Sequence, residues 1–169
     1  TQDWGYISAK HLAIPTTAGL GSESTKFSML HYKGKLKRIE HDSLLPDYVI
    51  LDAKLLAEVP LYHKKSAMMG AICQAIDSLW SINSTQKSIK YAKDAIRLIF
   101  AYYPSYLQGS KEAAHHIMTA ANYSGRAVNI TQLSALHDMG HKMAFLDRID
   151  FGHALAFCLP AFWKHMSKN

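Results

Sequence analysis

Cysteine is scarce in this 169-residue chain, and what there is does not suggest chemistry. Cys73 and Cys158 are 85 positions apart (158 − 73), each set in an apolar helical pattern, and no CxxC spacing occurs. That excludes a disulfide framework and a cysteine-based metal or redox motif, leaving two small buried hydrophobes as the expectation. No apolar run approaches the ~20 residues needed to cross a bilayer, which excludes a membrane-spanning helix. The first residues, Thr1-Gln2-Asp3-Trp4, lack the basic and apolar regions of a secretory signal, so a cytoplasmic protein is expected. Acidic residues are in the minority, 13 against 19 Lys and Arg, for a net charge of +6. The basic residues are scattered except at Lys33-Gly34-Lys35-Leu36-Lys37-Arg38. So short a run reads as a solvated hairpin rather than a nucleic-acid site. With no repeat, low-complexity tract or flexible linker, and 49% hydrophobic residues, the chain reads as an ordered globular protein.

What is present divides in two. Residues 11–15 read as a short buried strand stopped by Pro15, followed by a small polar loop through Ser24. Phe27–Tyr32 and Lys35–Glu40 flank Lys33-Gly34 as a hairpin, and Tyr48-Val49-Ile50-Leu51 is an apolar run suited to a second buried strand. Beyond Asp52 the apolar period becomes helical. Asp52 is placed to cap a short helix ended by Pro60, and Met69, Ile72, Ile76 and Leu79 predict a helix from about Lys64 to Ser81. Thr85 starts a helix with the stripe Ile89, Ala92, Ile96, Ile99 and Tyr103, closed by Pro104. Ser110 caps another, with Ala114, Ile117, Ala121 and Val128 inward and Gly125 at a close contact. Thr131 is expected to cap a helix through about Phe145, and a last helix begins near Gly152. The predicted architecture is mainly α, a bundle of antiparallel helices over 53–169 preceded by strand and hairpin elements over 1–52. So little sheet does not stand alone, so 1–52 reads as cut from something larger.

The segment Ile14-Pro15-Thr16-Thr17-Ala18-Gly19-Leu20-Gly21-Ser22-Glu23-Ser24-Thr25 closely resembles the IPTTAGTGSE segment of iron-containing alcohol dehydrogenases. The resemblance continues through Leu45-Pro46-Asp47 to Asp52, through Ala71-Ile72-Cys73-Gln74-Ala75-Ile76-Asp77-Ser78, and without a gap from His137 to Pro160. Asn83-Ser84-Thr85 and Ala120–Ala127 look most like the subgroup that includes phosphonoacetaldehyde reductases. The resemblance implies the dehydroquinate synthase-like fold, with 1–52 as the end of an α/β dinucleotide-binding domain and 53–169 as a metal-domain bundle without its last helices. It also implies NAD or NADP with a divalent ion, Fe or Zn, a small alcohol or aldehyde substrate, and a homo-oligomer. Thr16, Thr17, Gly19, Gly21 and Ser22 would lie beside the cofactor, where small side chains and free N–H groups suit a phosphate.

The implied metal centre is incomplete. The family takes an Asp and a His at i, i+4 on one helix and two later histidines, a donor set suited to Fe(II) or Zn(II). Here those positions are Gly70, Gln74, His137 and Phe151. The metal residues carried over are therefore His137 and Gln74, with His141 as the catalytic group. Glycine and phenylalanine offer no donor atom, and Leu20 stands where the family has threonine. A rebuilt site from His137, His141 and His153 is the competing possibility. The expected outcome is a weakly active or inactive oxidoreductase, with a non-catalytic binding or assembly module as the alternative.

Overall fold

The computed structural model describes residues 9–33 and 35–167. Strand β1 (Leu12–Ala13) pairs in parallel with β4 (Tyr48–Val49), Leu12 opposite Tyr48. Between them β2 (Phe27–Tyr32) and β3 (Lys35–Glu40) form the antiparallel hairpin, from Phe27 opposite Glu40 to Tyr32 opposite Lys35. The turn passes through Lys33 with φ 49°, while Gly34, the expected turning point, lies outside the described residues. Five helices then follow among the described residues: α1 (Leu61–Trp80), α2 (Gln86–Leu107), α3 (Lys111–Thr131), α4 (Ala135–Asp147) and α5 (Phe151–Met166). None is long and apolar enough to cross a membrane.

The helices start where their sequences provide acceptors for unpaired N–H groups. Thr85 and Ser88 form a reciprocal capping box at α2, and Ser110 accepts from the Ala113 N–H at α3. Asp52 accepts from the Lys54 N–H, opening a 3-10 turn over Ala53–Leu56 rather than a longer helix. α2 and α3 pack as a pair, α1 lies against α2, α3 and α5, and α4 closes on α5. One apolar cluster joins Leu56, Ile99, Ile117 and Met118, and another joins Cys73, Leu136, Leu155 and Cys158. Full burial of a leucine such as Leu155 contributes about 2–3 kcal/mol. Both cysteines are free and buried. Burial, aided by the negative charge of Asp77, pushes the Cys73 thiol up to about 12, and burial also raises Cys158. They serve as packing groups, as their sequence context implied.

Several expectations are corrected. The β1 and β4 segments are not buried: Leu12 is 48% exposed, Tyr48 60% and Ile50 48%. A parallel pair is normally covered on both faces, whereas Leu12, Tyr48 and Val49 of this one are exposed. α1 begins at Leu61, ahead of the predicted start. α2 does not stop at Pro104 but runs to Leu107, because a proline in the last turn removes one backbone bond while Tyr106 beyond it joins the core. Thr131 ends α3 instead of capping α4. Its hydroxyl donates to Ser78 Oγ at 3.0 Å, and Ser134 is the cap of α4.

Candidate functional site

The loop at 14–25 is held down by its second half. Gly21 adopts φ 62°, and a Cβ on it would overlap the Ala121 carbonyl, while Gly125 meets Gly21 backbone to backbone. The close contact expected at Gly125 is therefore with this loop. Asn122 Nδ2 donates to Glu23 Oε1 at 2.9 Å and to Ser24 Oγ at 2.6 Å, both buried. Seven residues on, Asn129 Oδ1 accepts from the Lys26 N–H at 2.9 Å. The two asparagines are two helical turns apart on α3, a spacing that places them on one face. Pinned in this way, the loop turns Thr16, Thr17, Gly21 and Ser22 toward an open groove of about 410 Å³, with His11, Leu44 and Pro46 on its other wall. Gly19 is not in that groove. It is buried against Ala67 of α1, in an adjoining cavity that Thr17 and Ser22 also border.

A second cavity, of about 270 Å³, lies between the loop, the hairpin and helices α1, α4 and α5. His137, Gln74, His141 and Phe151 all line it. His137 is 1% exposed, and its Nδ1 meets Asp77 Oδ2 at 2.8 Å. The same carboxylate accepts the Ser134 N–H at 3.0 Å and the Ser134 hydroxyl in a short bond. An ionised carboxylate accepts and does not donate, so Nδ1 carries a hydrogen toward Asp77, and in the neutral imidazole Nε2 is the acceptor. That Nε2 is buried and has no hydrogen-bond partner among the described residues. This is how a metal-ligating histidine is held, with a carboxylate behind it fixing its tautomer.

The rest of the cavity does not match that preparation. Gly70 lies outside it, beside the adjoining cavity that holds Gly19, and a Cβ on it would come 3.3 Å from Leu20 Cδ2 and 3.5 Å from Gly152 Cα. A longer side chain at 70 cannot enter unless Leu20 gives way. Gln74 lines the cavity, but its Nε2 donates to the Leu20 carbonyl at 2.6 Å and to Ser124 Oγ at 3.2 Å. The amide thus clamps the loop to α1 and α3. Phe151 fills the last position: its ring stacks on His141 at 4.0 Å between centroids and tilts against His137 at 5.8 Å. Among the described residues no group of three or more His, Cys, Asp or Glu side chains is placed to hold a metal ion.

The rebuilt site from His137, His141 and His153 is therefore not assembled. Two positions beyond Phe151 is about 200° around a helix, which turns His153 away from the cavity. Its Nδ1 lies 3.0 Å from the Tyr62 hydroxyl instead. Sequence reasoning also passed over Asp77 and Ser134. Asp77 stands at i+3 from Gln74 and i+7 from Gly70 on α1, so helical spacing alone puts a carboxylate on the face that looks into the cleft.

The profile described as the Fe-containing alcohol dehydrogenase family, C-terminal, matches residues 65–169. Phosphonoacetaldehyde reductase of Streptomyces viridochromogenes is 29% identical over 153 residues, 88% of this chain and 38% of that protein. The probable alcohol dehydrogenase EutG of Escherichia coli is 33% identical, over 88% of this chain and 39% of its own. Among solved structures, sulfoacetaldehyde reductase from Bifidobacterium kashiwanohense in complex with NAD+ superposes with a TM-score of 0.84 at 30% identity, covering 89% of this chain and 41% of that one. An iron-containing alcohol dehydrogenase from Thermotoga maritima gives 0.83 at 27% identity, covering 88% and 41%. The chain belongs to the iron-containing alcohol dehydrogenase family, an oxidoreductase family, and has its helical fold. It spans about two fifths of the length of these relatives.

Proposed function

We propose that this chain is the loop-and-bundle part of an NAD(P)-linked alcohol or aldehyde oxidoreductase whose metal centre has been replaced by packing, leaving it weakly active or inactive. In this reading residues 1–52 close the dinucleotide-binding domain and 53–169 form the former metal domain. Thr16, Thr17, Gly21 and Ser22 border the groove toward NAD or NADP, and Gly19 supports the loop from beneath. The residues at the metal position do not fit a divalent ion. His137 is prepared to donate, but Gly70 and Phe151 bring no donor atoms, and Gln74, whose nitrogen holds the Leu20 carbonyl, offers only a weak amide oxygen. Damage behind a metal site typically weakens affinity about tenfold to a hundredfold, and loss of ligands themselves exceeds that. The observation that carries the reading is Phe151, whose ring stacks on His141 and tilts against His137 where a donor would stand. His141, stacked on Phe151, is the remaining candidate for a catalytic group facing the nicotinamide side.

The test is metal stoichiometry after the purified protein is exposed to Fe(II) or Zn(II) and desalted, paired with NAD(P)H oxidation by a small aldehyde. Substoichiometric metal and no turnover are expected. One tightly held ion per chain with turnover overturns the proposal. Restoring the donors together, with Leu20→Thr, Gly70→Asp, Gln74→His and Phe151→His, is expected to create metal binding that the unaltered chain lacks.

A second reading, an assembly module, has one observation in its favour. An apolar groove of about 810 Å³ runs along α1, α2 and α5, where Met69, Ile72, Phe100, Tyr103 and Trp163 face it. A second copy of the chain is the occupant this reading requires. Light scattering that shows only monomer at high concentration removes it.

A further inference from the structure

On a different part of the bundle, the 3-10 turn after β4, the first turn of α1, the end of α2 and the start of α3 enclose a cavity of about 620 Å³ that the dehydrogenase reading does not use. Its floor is apolar, made by Leu51, Leu56, Ala57 and Ala114. Its rim is basic, with Lys54, Lys64, Lys111 and His115 arriving from three separate elements. Lys54 and Lys111 form no ion pair among the described residues. Lys64 donates to the Ala57 carbonyl at 3.1 Å and sits 5.3 Å over the ring of Tyr106. The only carboxylate on the rim, Asp52, is engaged in accepting the Lys54 N–H at 3.0 Å.

Tyr106 is the telling residue. It is 3% exposed, it lines this cavity, and its hydroxyl, which forms no hydrogen bond with the described residues, keeps access to solvent there. A hydroxyl on an otherwise buried ring that reaches the space of a cavity is placed to donate to a water or a ligand held there. Burial pushes this phenol up to about 12, so it is a donor throughout the physiological range. The amino end of α3, 21 residues long and capped by Ser110, adds its positive dipole on the same side. Gly109, with φ 91°, precedes it with no neighbour within 4 Å of a built Cβ, so the entrance is open.

We infer that this cavity binds an amphiphilic oxyanion, a phosphate or carboxylate carried on a short hydrocarbon chain. The oxyanion sits between Lys54, Lys111 and the Tyr106 hydroxyl, and the hydrocarbon lies on the Leu51 and Leu56 floor. Charge alone does not explain a floor of leucines, and an apolar ligand alone does not explain four basic side chains and an unpartnered phenol. The two halves of the cavity specify the two halves of the ligand.

Titration calorimetry with butyl phosphate, butyrate, inorganic phosphate and butanol tests this. Butyl phosphate is expected to bind at least about tenfold more tightly than inorganic phosphate, from burial of its chain, with butanol weaker than either. The Lys54→Gln, Lys111→Gln double variant is expected to weaken butyl phosphate by about tenfold or more, and Tyr106→Phe by several-fold. Tyr106→Phe removes only an oxygen from a packed ring, so it keeps the question open to measurement should the double variant fold poorly. Lys90→Gln, on the exposed face of α2, serves as the control and leaves affinity unchanged. If butyl phosphate and inorganic phosphate bind alike, or Tyr106→Phe and Lys90→Gln are indistinguishable, the attraction is diffuse charge and the inference fails. Butyrate against butyl phosphate then decides which oxyanion the rim prefers. None of these outcomes depends on the metal cavity or on turnover, so this result and that of the proposed function stand apart.

Discussion

The two walls of the metal-position cavity differ in what they have kept. On the α4 wall, His137 retains a buried carboxylate behind it and an unpaired nitrogen in front. On the wall made by α1 and α5, Gly70 has been covered by Leu20, and Phe151 stands where a histidine belongs. The contrast teaches that residues behind a ligand and the ligand itself are held by different needs. Asp77 is kept in place by folding, since it satisfies the Ser134 N–H and hydroxyl at the start of α4 as well as the His137 ring. Gly70 and Phe151 answer to no such network, so hydrocarbon can take their positions and the bundle still close.

If that distinction is sound, the largest effect of a single change falls on the kept wall. Asp77→Ala strands one buried and two part-buried donors and is expected to cost about 3–5 kcal/mol in urea unfolding. A loss under about 1 kcal/mol would mean the network is incidental and the comparison mistaken. Next comes Gly152→Ala. A Cβ there overlaps the Ser66 carbonyl where α1 and α5 touch, and forcing the helices apart is expected to cost about 1–3 kcal/mol. That would show the refilled wall to be tightly packed rather than slack. Asn122→Ala, which frees the loop from α3 at Glu23 and Ser24, is expected to cost about 1–2 kcal/mol and to raise proteolysis between Thr16 and Thr25. The smallest effect is at the exposed strand pair. The His11 N–H, and then Lys10, hold the Asp47 carboxyl below its usual 3.8. A lowered carboxylate stabilises the fold above its unfolded pKa, and that contribution disappears as pH falls through the lowered value. Asp47→Asn should therefore change the melting temperature slightly at neutral pH and not at all in strong acid. The pH dependence of thermal melting of the two proteins checks this.

Much of this chain was legible before folding was considered. Helical spacing and the caps at Thr85 and Ser110 located α2 and α3, and the motif string located the loop at 14–25. Proline was the misleading signal. Pro104, expected to close α2, lies inside it. Near a helix end the loss of one backbone bond is outweighed by burying a side chain further along, here Tyr106. The apolar runs of β1 and β4 were also read as buried, since hydropathy reports what a strand prefers and not which neighbours are there to cover it.

The sequence by itself determined the donor inventory of the cleft. Glycine at 70 and phenylalanine at 151 cannot ligate an ion in any fold, because they lack the atoms. Only the tertiary structure decided what those substitutions became. Leu20 is fifty residues from Gly70 along the chain, and Asp77 sixty from His137. Whether such pairs fill a void, orient a ring or leave a nitrogen unpaired depends on distances that exist only once the helices have packed.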